Sequence, residues 1–198
     1  MKKFLIILIT VFSLVTIGDV DAKIKLPEKT DHEKVNVYLF WSSTCTNCHN
    51  LIKYFADKAE DYTDYFEIVT YQVNNDANNS ALSNAIAEQV GENPGYVPLV
   101  IIGDSYSVLG WSDELGETIT EEALKAYQDE EYTDIVAKKI EDEKLDVKTT
   151  SFEDTCTAIG VKYGASSESK LNGKVVICFV SAVVLLGTGG LVIISKKK

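Results

Sequence analysis

Cys45 and Cys48 are separated by Thr46-Asn47 and follow directly on the apolar run Val35-Asn36-Val37-Tyr38-Leu39-Phe40-Trp41. Two cysteines at this spacing can exchange a disulfide with another molecule, staple the chain locally, or supply half of a four-ligand metal site. A strand that hands a cysteine to the start of a helix places it where the partial positive charge of the helix N-terminus lowers a thiol pKa. That arrangement suits a redox nucleophile. A zinc site would need two further ligands, and the chain's only histidines are His32 and His49; no metal and no cofactor is expected. His49 directly follows Cys48 and, as a cation, would stabilise a thiolate. Thr46, Asn47 and His49 are therefore candidate modulators of the pair.

The flanking sequence supplies elements to position these thiols. Val35–Trp41 reads as a strand buried on both faces. From Asn47 to about Tyr62, Leu51, Ile52, Phe55 and Ala59 recur at helical spacing opposite Lys53, Asp57, Lys58 and Glu60. Phe66–Val73 alternates and is rich in β-formers, and Asn74-Asn75-Asp76 marks a turn. Ala81–Val90 reads as a helix with Leu82, Ala85, Ile86 and Gln89 in register and Gly91 at its C′ position. A strand opening at Tyr96-Val97-Pro98 runs to Gly103, and Ser105–Leu109 is its hairpin partner. Thr120, read as an N-cap, starts a last helix reaching about Lys144, with Ala123, Leu124, Tyr127, Ile135, Val136 and Ile140 facing the core and a candidate break at Asp129-Glu130-Glu131. The order is β-α-β-α-β-β-α, one right-handed βαβ unit followed by a hairpin and a helix.

Over about residues 35–145 the chain resembles the thioredoxin superfamily. Three parts carry the resemblance: Trp41-Ser42-Ser43-Thr44-Cys45-Thr46-Asn47-Cys48 between a strand and a helix, Val97-Pro98 opening the third strand 50 residues after Cys48, and a hairpin ending in Gly110. It implies an α/β thioredoxin-like fold, a mixed central sheet with flanking helices. It also implies a cis peptide before Pro98, facing the cysteine pair across a substrate groove formed by Trp41, Val97 and Pro98. The implied activity is enzymatic: protein thiol–disulfide exchange in which Cys45 attacks and Cys48 resolves the mixed disulfide, acting on cysteine-containing exported proteins and supplied by a membrane redox partner. The alternative is a non-catalytic thioredoxin-like binding module whose Cys45–Cys48 disulfide is structural. The chain departs from the family pattern at Thr44, where thioredoxins carry a second tryptophan, and at Leu39, where they bury an acid. Thr46-Asn47 matches neither the thioredoxin spacer nor that of the strong bacterial oxidases. Trp111 replaces the second glycine of the glutathione-binding turn of glutaredoxins.

The ends of the sequence give the expected setting. Residues 1–22 read as a signal peptide: Lys2-Lys3, the apolar stretch Phe4 to Ile17, and a small-residue cleavage site at Val20-Asp21-Ala22. Val175 to Ser195 holds 21 residues without a charge, enough for a membrane-spanning helix, followed by Lys196-Lys197-Lys198 as a cytoplasmic tail. Residues 23–145 would form the extracytoplasmic domain and residues 146–174 a polar stalk, giving a single-pass membrane protein. Cys156 reads as a lone stalk thiol and Cys178 as a small residue of the span. Asn78-Asn79-Ser80 has the N-glycosylation acceptor pattern. Residues 23–174 carry 28 acids against 14 lysines, a net charge of −14, and the whole chain has no arginine. Such a surface repels phosphates, so nucleic-acid binding is not expected.

Overall fold

The computed structural model describes residues 24–29 and 33–164. The regions read as signal peptide, membrane span and cytoplasmic tail, together with His32, Cys178 and the last part of the stalk, lie outside the described residues. Among the described residues no helix is long and apolar enough to cross a membrane.

Five strands form one mixed sheet in the order β4-β3-β1-β2-β5. They are β1 (Val35–Trp41), β2 (Phe66–Gln72), β3 (Leu99–Ile102), β4 (Tyr106–Leu109) and β5 (Thr150–Ser151). β1 pairs in parallel with β2, with Val35 opposite Phe66 and Trp41 opposite Gln72. It pairs antiparallel with β3 on its other side, and β3 with β4. The helices are α1 (Thr46–Asp57), α2 (Ala59–Tyr62), α3 (Ala77–Val90), α4 (Asp113–Gln128), α5 (Ile135–Glu143) and α6 (Phe152–Ala158). This mixed sheet with helices on both faces fits the thioredoxin-like arrangement expected from the sequence.

β1 is central, and its alternation divides the core. Val35, Val37, Leu39 and Trp41 face one side, where they pack with Leu51, Ile52 and Phe55 of α1, Ile119 and Ala123 of α4, and Phe152 and Cys156 of α6. Tyr38 and Phe40 face the other side, with Leu82 and Ile86 of α3 and Ile135 and Val136 of α5. A strand buried on both faces is apolar along its length rather than alternating, as β1 is apart from the half-buried Asn36.

The structure corrects three expectations. The helix expected from Thr120 to Lys144 is two helices, divided from the candidate break at Asp129-Glu130-Glu131 onward, because its apolar residues serve opposite faces of the sheet. Ala123, Leu124 and Tyr127 belong to one core cluster and Ile135 and Val136 to the other. The chain turns between them at 129–134, and the Asp134 carboxylate caps α5 by accepting from Ala137 N at 2.8 Å and also accepts from the Tyr38 hydroxyl at 2.7 Å. This crossing hugs the β3–β4 turn. Gly103 has φ +53°, and a Cβ there would lie 2.6 Å from the Tyr132 ring, so only glycine fits. The N-cap of α4 is Ser112, eight residues before Thr120, and its Oγ accepts from Leu115 N at 3.3 Å.

The third correction concerns the stalk. Residues 150–158, inside the segment read as polar linker, fold as β5 and α6. β5 pairs antiparallel with β2. Thr155 of α6 is fully buried, and its hydroxyl lies 2.7 Å from that of Thr70 in β2. The connection leading there is tied down by Asn79 of α3, which accepts from Lys148 N at 2.9 Å and donates to Lys148 O at 2.9 Å and Gln72 O at 3.2 Å. The folded domain therefore extends through the described residues to 164 rather than stopping at 145.

Candidate functional site

β1 ends at Trp41, and five residues later the chain enters α1. Cys45 is the N-cap of that helix, in an extended conformation, and its Sγ accepts the Cys48 backbone N–H at 3.1 Å. Cysteine occupies the position where serine or aspartate usually caps, so the sulfur meets both a hydrogen-bond donor and the positive end of the helix dipole. No acidic residue lies in the first turn of α1 to oppose this field. Cys45 and Cys48 are paired as a disulfide with Cα atoms 5.2 Å apart. The two sulfurs differ in access. Cys45 is half-buried, whereas Cys48 is wholly enclosed at 0% exposure.

Opposite the disulfide stands the start of β3. The Val97–Pro98 peptide is cis. The Val97 carbonyl oxygen lies 3.6 Å from Cys45 Sγ, within the range of a weak thiol donor once the pair is reduced. Pro98 is itself buried, and its carbonyl accepts from Gly110 N at 2.9 Å. This bond pins the end of the hairpin beside the cis peptide. Tyr96, one residue before Val97, is 67% exposed.

The other residues singled out from the sequence divide clearly. Thr46 and Asn47 are exposed on the first turn of α1. Trp41 is 2% exposed, so it packs in the core behind the loop instead of lining a groove, as its inward-facing place on β1 dictates. Its ring centroid is 6.5 Å from that of His49, and both Trp41 Nε1 and His49 Nε2 are buried without a protein hydrogen-bond partner. Trp111 is half-buried. It packs edge-on to Tyr54, 5.2 Å between centroids, and with Asn50, Lys53, Asp57 and Asp113 it borders a surface cleft of about 320 Å³. Leu39 is fully buried, and no carboxylate is buried anywhere among the described residues.

Cys156 is buried at 0% exposure, and burial pushes its thiol up to about 11. It lies among Tyr62 and Tyr163, beside the C-terminal end of α1, where the Tyr62 hydroxyl donates to Phe55 O at 2.9 Å. The disulfide is at the opposite end of that helix. Among the described residues no group of three or more histidine, cysteine, aspartate or glutamate side chains is gathered to hold a metal.

The sequence does not show how the loop between Trp41 and Cys45 is held. Cys45 N donates to Ser42 O at 3.1 Å, and Thr44 N donates to Ser42 Oγ at 3.3 Å. Ser43 is held by Asn74, whose sequence context marks only a turn: Ser43 N donates to Asn74 Oδ1 at 3.2 Å, and Asn74 Nδ2 donates to Ser43 Oγ at 2.9 Å. Parallel pairing of Trp41 with Gln72 is the signal that locates this contact. Two residues beyond that pair, positions 43 and 74 leave the sheet side by side.

No family model matches the chain, and neither a curated protein nor a solved structure matches it. The geometry therefore carries the functional argument alone. It shows a cysteine pair at disulfide distance at a helix N-terminus, compatible with a redox-active site.

Proposed function

We propose that the protein is a membrane-anchored, extracytoplasmic thiol–disulfide oxidoreductase that exchanges disulfides with cysteine-containing exported proteins through Cys45 and Cys48. The observation that carries this reading is the unequal exposure of the two sulfurs, with the accessible one capping α1. A structural staple has no need of one partly accessible sulfur set against a backbone carbonyl. In the oxidising direction a substrate thiolate attacks Cys45 Sγ, the Cys45–Cys48 bond breaks, and Cys48 leaves with the electron pair. A second substrate thiolate then attacks the substrate sulfur of the mixed disulfide and releases Cys45, so that two electrons pass to the protein. In the reducing direction Cys45 attacks the substrate disulfide and Cys48 resolves the intermediate. The Val97 carbonyl supplies a hydrogen-bond acceptor for the backbone of a docked segment. Anchoring and location rest on the apolar stretches Phe4 to Ile17 and Val175 to Ser195.

The test is turnover in both directions by the full chain in detergent: reduction of insulin disulfides, and oxidation of a reduced unfolded protein. Wild-type turnover that is lost in Cys45→Ser supports the reading. A wild-type protein inert in both assays overturns it and leaves a binding module with a structural disulfide.

A further inference from the structure

We propose that Asn74 is a positioning residue for the Cys45 sulfur, clamping the loop that sets the sulfur against the end of α1. The proposal rests on the thiol–disulfide reading of that site, but its geometry is independent of which substrate is used.

The parallel ladder between β1 and β2 ends with Val73 N donating to Trp41 O at 2.8 Å. Beyond it the two chains diverge, residues 42–45 into α1 and residues 74–76 into α3. Nothing in the sheet holds the first of these loops. Asn74 replaces the missing ladder with two reciprocal bonds, from Ser43 N to its Oδ1 and from its Nδ2 to Ser43 Oγ. The Asn74 amide is itself braced, because Gln72 Nε2 also donates to Oδ1 at 3.2 Å and Nδ2 also reaches Asn75 Oδ1 at 3.3 Å. Only Thr44 stands between Ser43 and Cys45. The Sγ contact with Cys48 N at 3.1 Å is directional. A loop free to shift by a fraction of an ångström weakens that contact when the sulfur is a thiolate, the form for which the charge-assisted bond counts most.

The nearby charges do not substitute for this control. The first turn of α1 has no acid. Asp76, two residues beyond Asn74, is engaged as the cap of α3 with Asn78 N and Asn79 N and pairs with Lys148 at 3.1 Å. His49 lies on the second turn, turned toward Trp41.

The experiment compares wild type, Asn74→Ala, Ser43→Ala and the double variant as full chains in detergent. Three quantities are read: the alkylation rate of reduced Cys45 at pH 7 by peptide mapping, the equilibrium constant for reduction by glutathione, and the melting temperature. Asn74→Ala is expected to slow alkylation about fivefold and to lower the equilibrium constant for reduction in the same sense, because the thiolate loses stabilisation. Ser43→Ala, which keeps the backbone bond, is expected to slow alkylation about twofold. The double variant should be no slower than Asn74→Ala, since both changes remove the same clamp. A fall in melting temperature with unchanged alkylation and equilibrium constant overturns the proposal, as do fully additive effects. If Asn74→Ala does not fold, the milder Ser43→Ala decides: unchanged Cys45 reactivity overturns the proposal. Altered Cys45 reactivity in a protein without substrate turnover would sustain the clamp while overturning the oxidoreductase reading.

Discussion

Cys45 and Cys48 share a disulfide but not an environment, and the difference sets their separate fates on substitution. On the proposed exchange, and with Cys48 enclosed, Cys48→Ser removes the resolving sulfur and leaves Cys45 able to form mixed disulfides. Cells expressing that variant should accumulate adducts on Cys45 that disappear on reduction, visible on non-reducing gels; their absence would count against substrate exchange. Cys156 behaves differently. Its thiol is pushed up from 9.0 to about 11 by burial, so the unfolded chain loses this proton before the folded one does. The stability tied to the neutral thiol is complete below pH 9 and is lost as pH rises toward 11. Denaturant titrations between pH 8 and 11 should show a smaller alkaline loss in Cys156→Ala than in wild type. At this scale the sequence was readable where a residue type has few uses. A close cysteine pair points to chemistry by itself, and Val-Pro opening a strand does so through the resemblance it helps carry. Trp41 and Asn74 did not, because a tryptophan suits both core and groove, and an asparagine in a turn announces the turn but not its partner.

The elements were legible in proportion to their length. β1, α1, β2 and α3 each carry several periodic positions, and the structure has them where the sequence reading puts them, except that the helix expected from Asn47 to about Tyr62 breaks at Lys58 into α1 and α2 and that α3 starts at Ala77 rather than Ala81. β5 has two residues and α6 seven, too short for periodicity to register, and both depend on contacts made 80 or more residues away. Thr70 and Thr155 illustrate this: each is an ordinary polar residue in sequence, yet they bond to each other in the core. The correction has a direct consequence for truncation. Ending the chain after residue 145 would uncover the outer edge of β2 and the pocket now filled by Phe152 and Cys156, and the product should aggregate or melt cooperatively at a much lower temperature than a chain ending at 164. Asn79 gives a finer test. It is buried and makes three bonds that join α3, β2 and the approach to β5. Asn79→Ala should cost about 2 kcal/mol by chemical denaturation, since it leaves backbone groups buried without partners. Ser112→Ala should cost about 1 kcal/mol through loss of the α4 cap.

Over the whole molecule the dominant property is charge. The net −14 of residues 23–174 is long-ranged at low salt and favours encounter with basic partners. If protein cysteines are the substrates, kcat/KM for a basic substrate should fall as ionic strength rises from 10 to 300 mM, while that for an acidic substrate should rise or stay level. Composition alone made this property legible. How the chain passes from one face of the sheet to the other was legible only as the candidate break at Asp129-Glu130-Glu131, because the apolar spacing on either side of it says nothing about which face each residue serves.

Burial of Cys156 matters for a protein that carries the Cys45–Cys48 disulfide. Cys45 and Cys48 lie close in sequence and Cys156 far from both, so the short loop closes more readily. With Phe152 and Thr155 seated against the sheet, Cys156 is withdrawn from that pair. Local detachment of α6 would expose Cys156 as a competing thiol in the same chain. Hydrogen exchange in 150–158, followed beside the fraction of wrongly paired protein during oxidative refolding, should rise and fall with it.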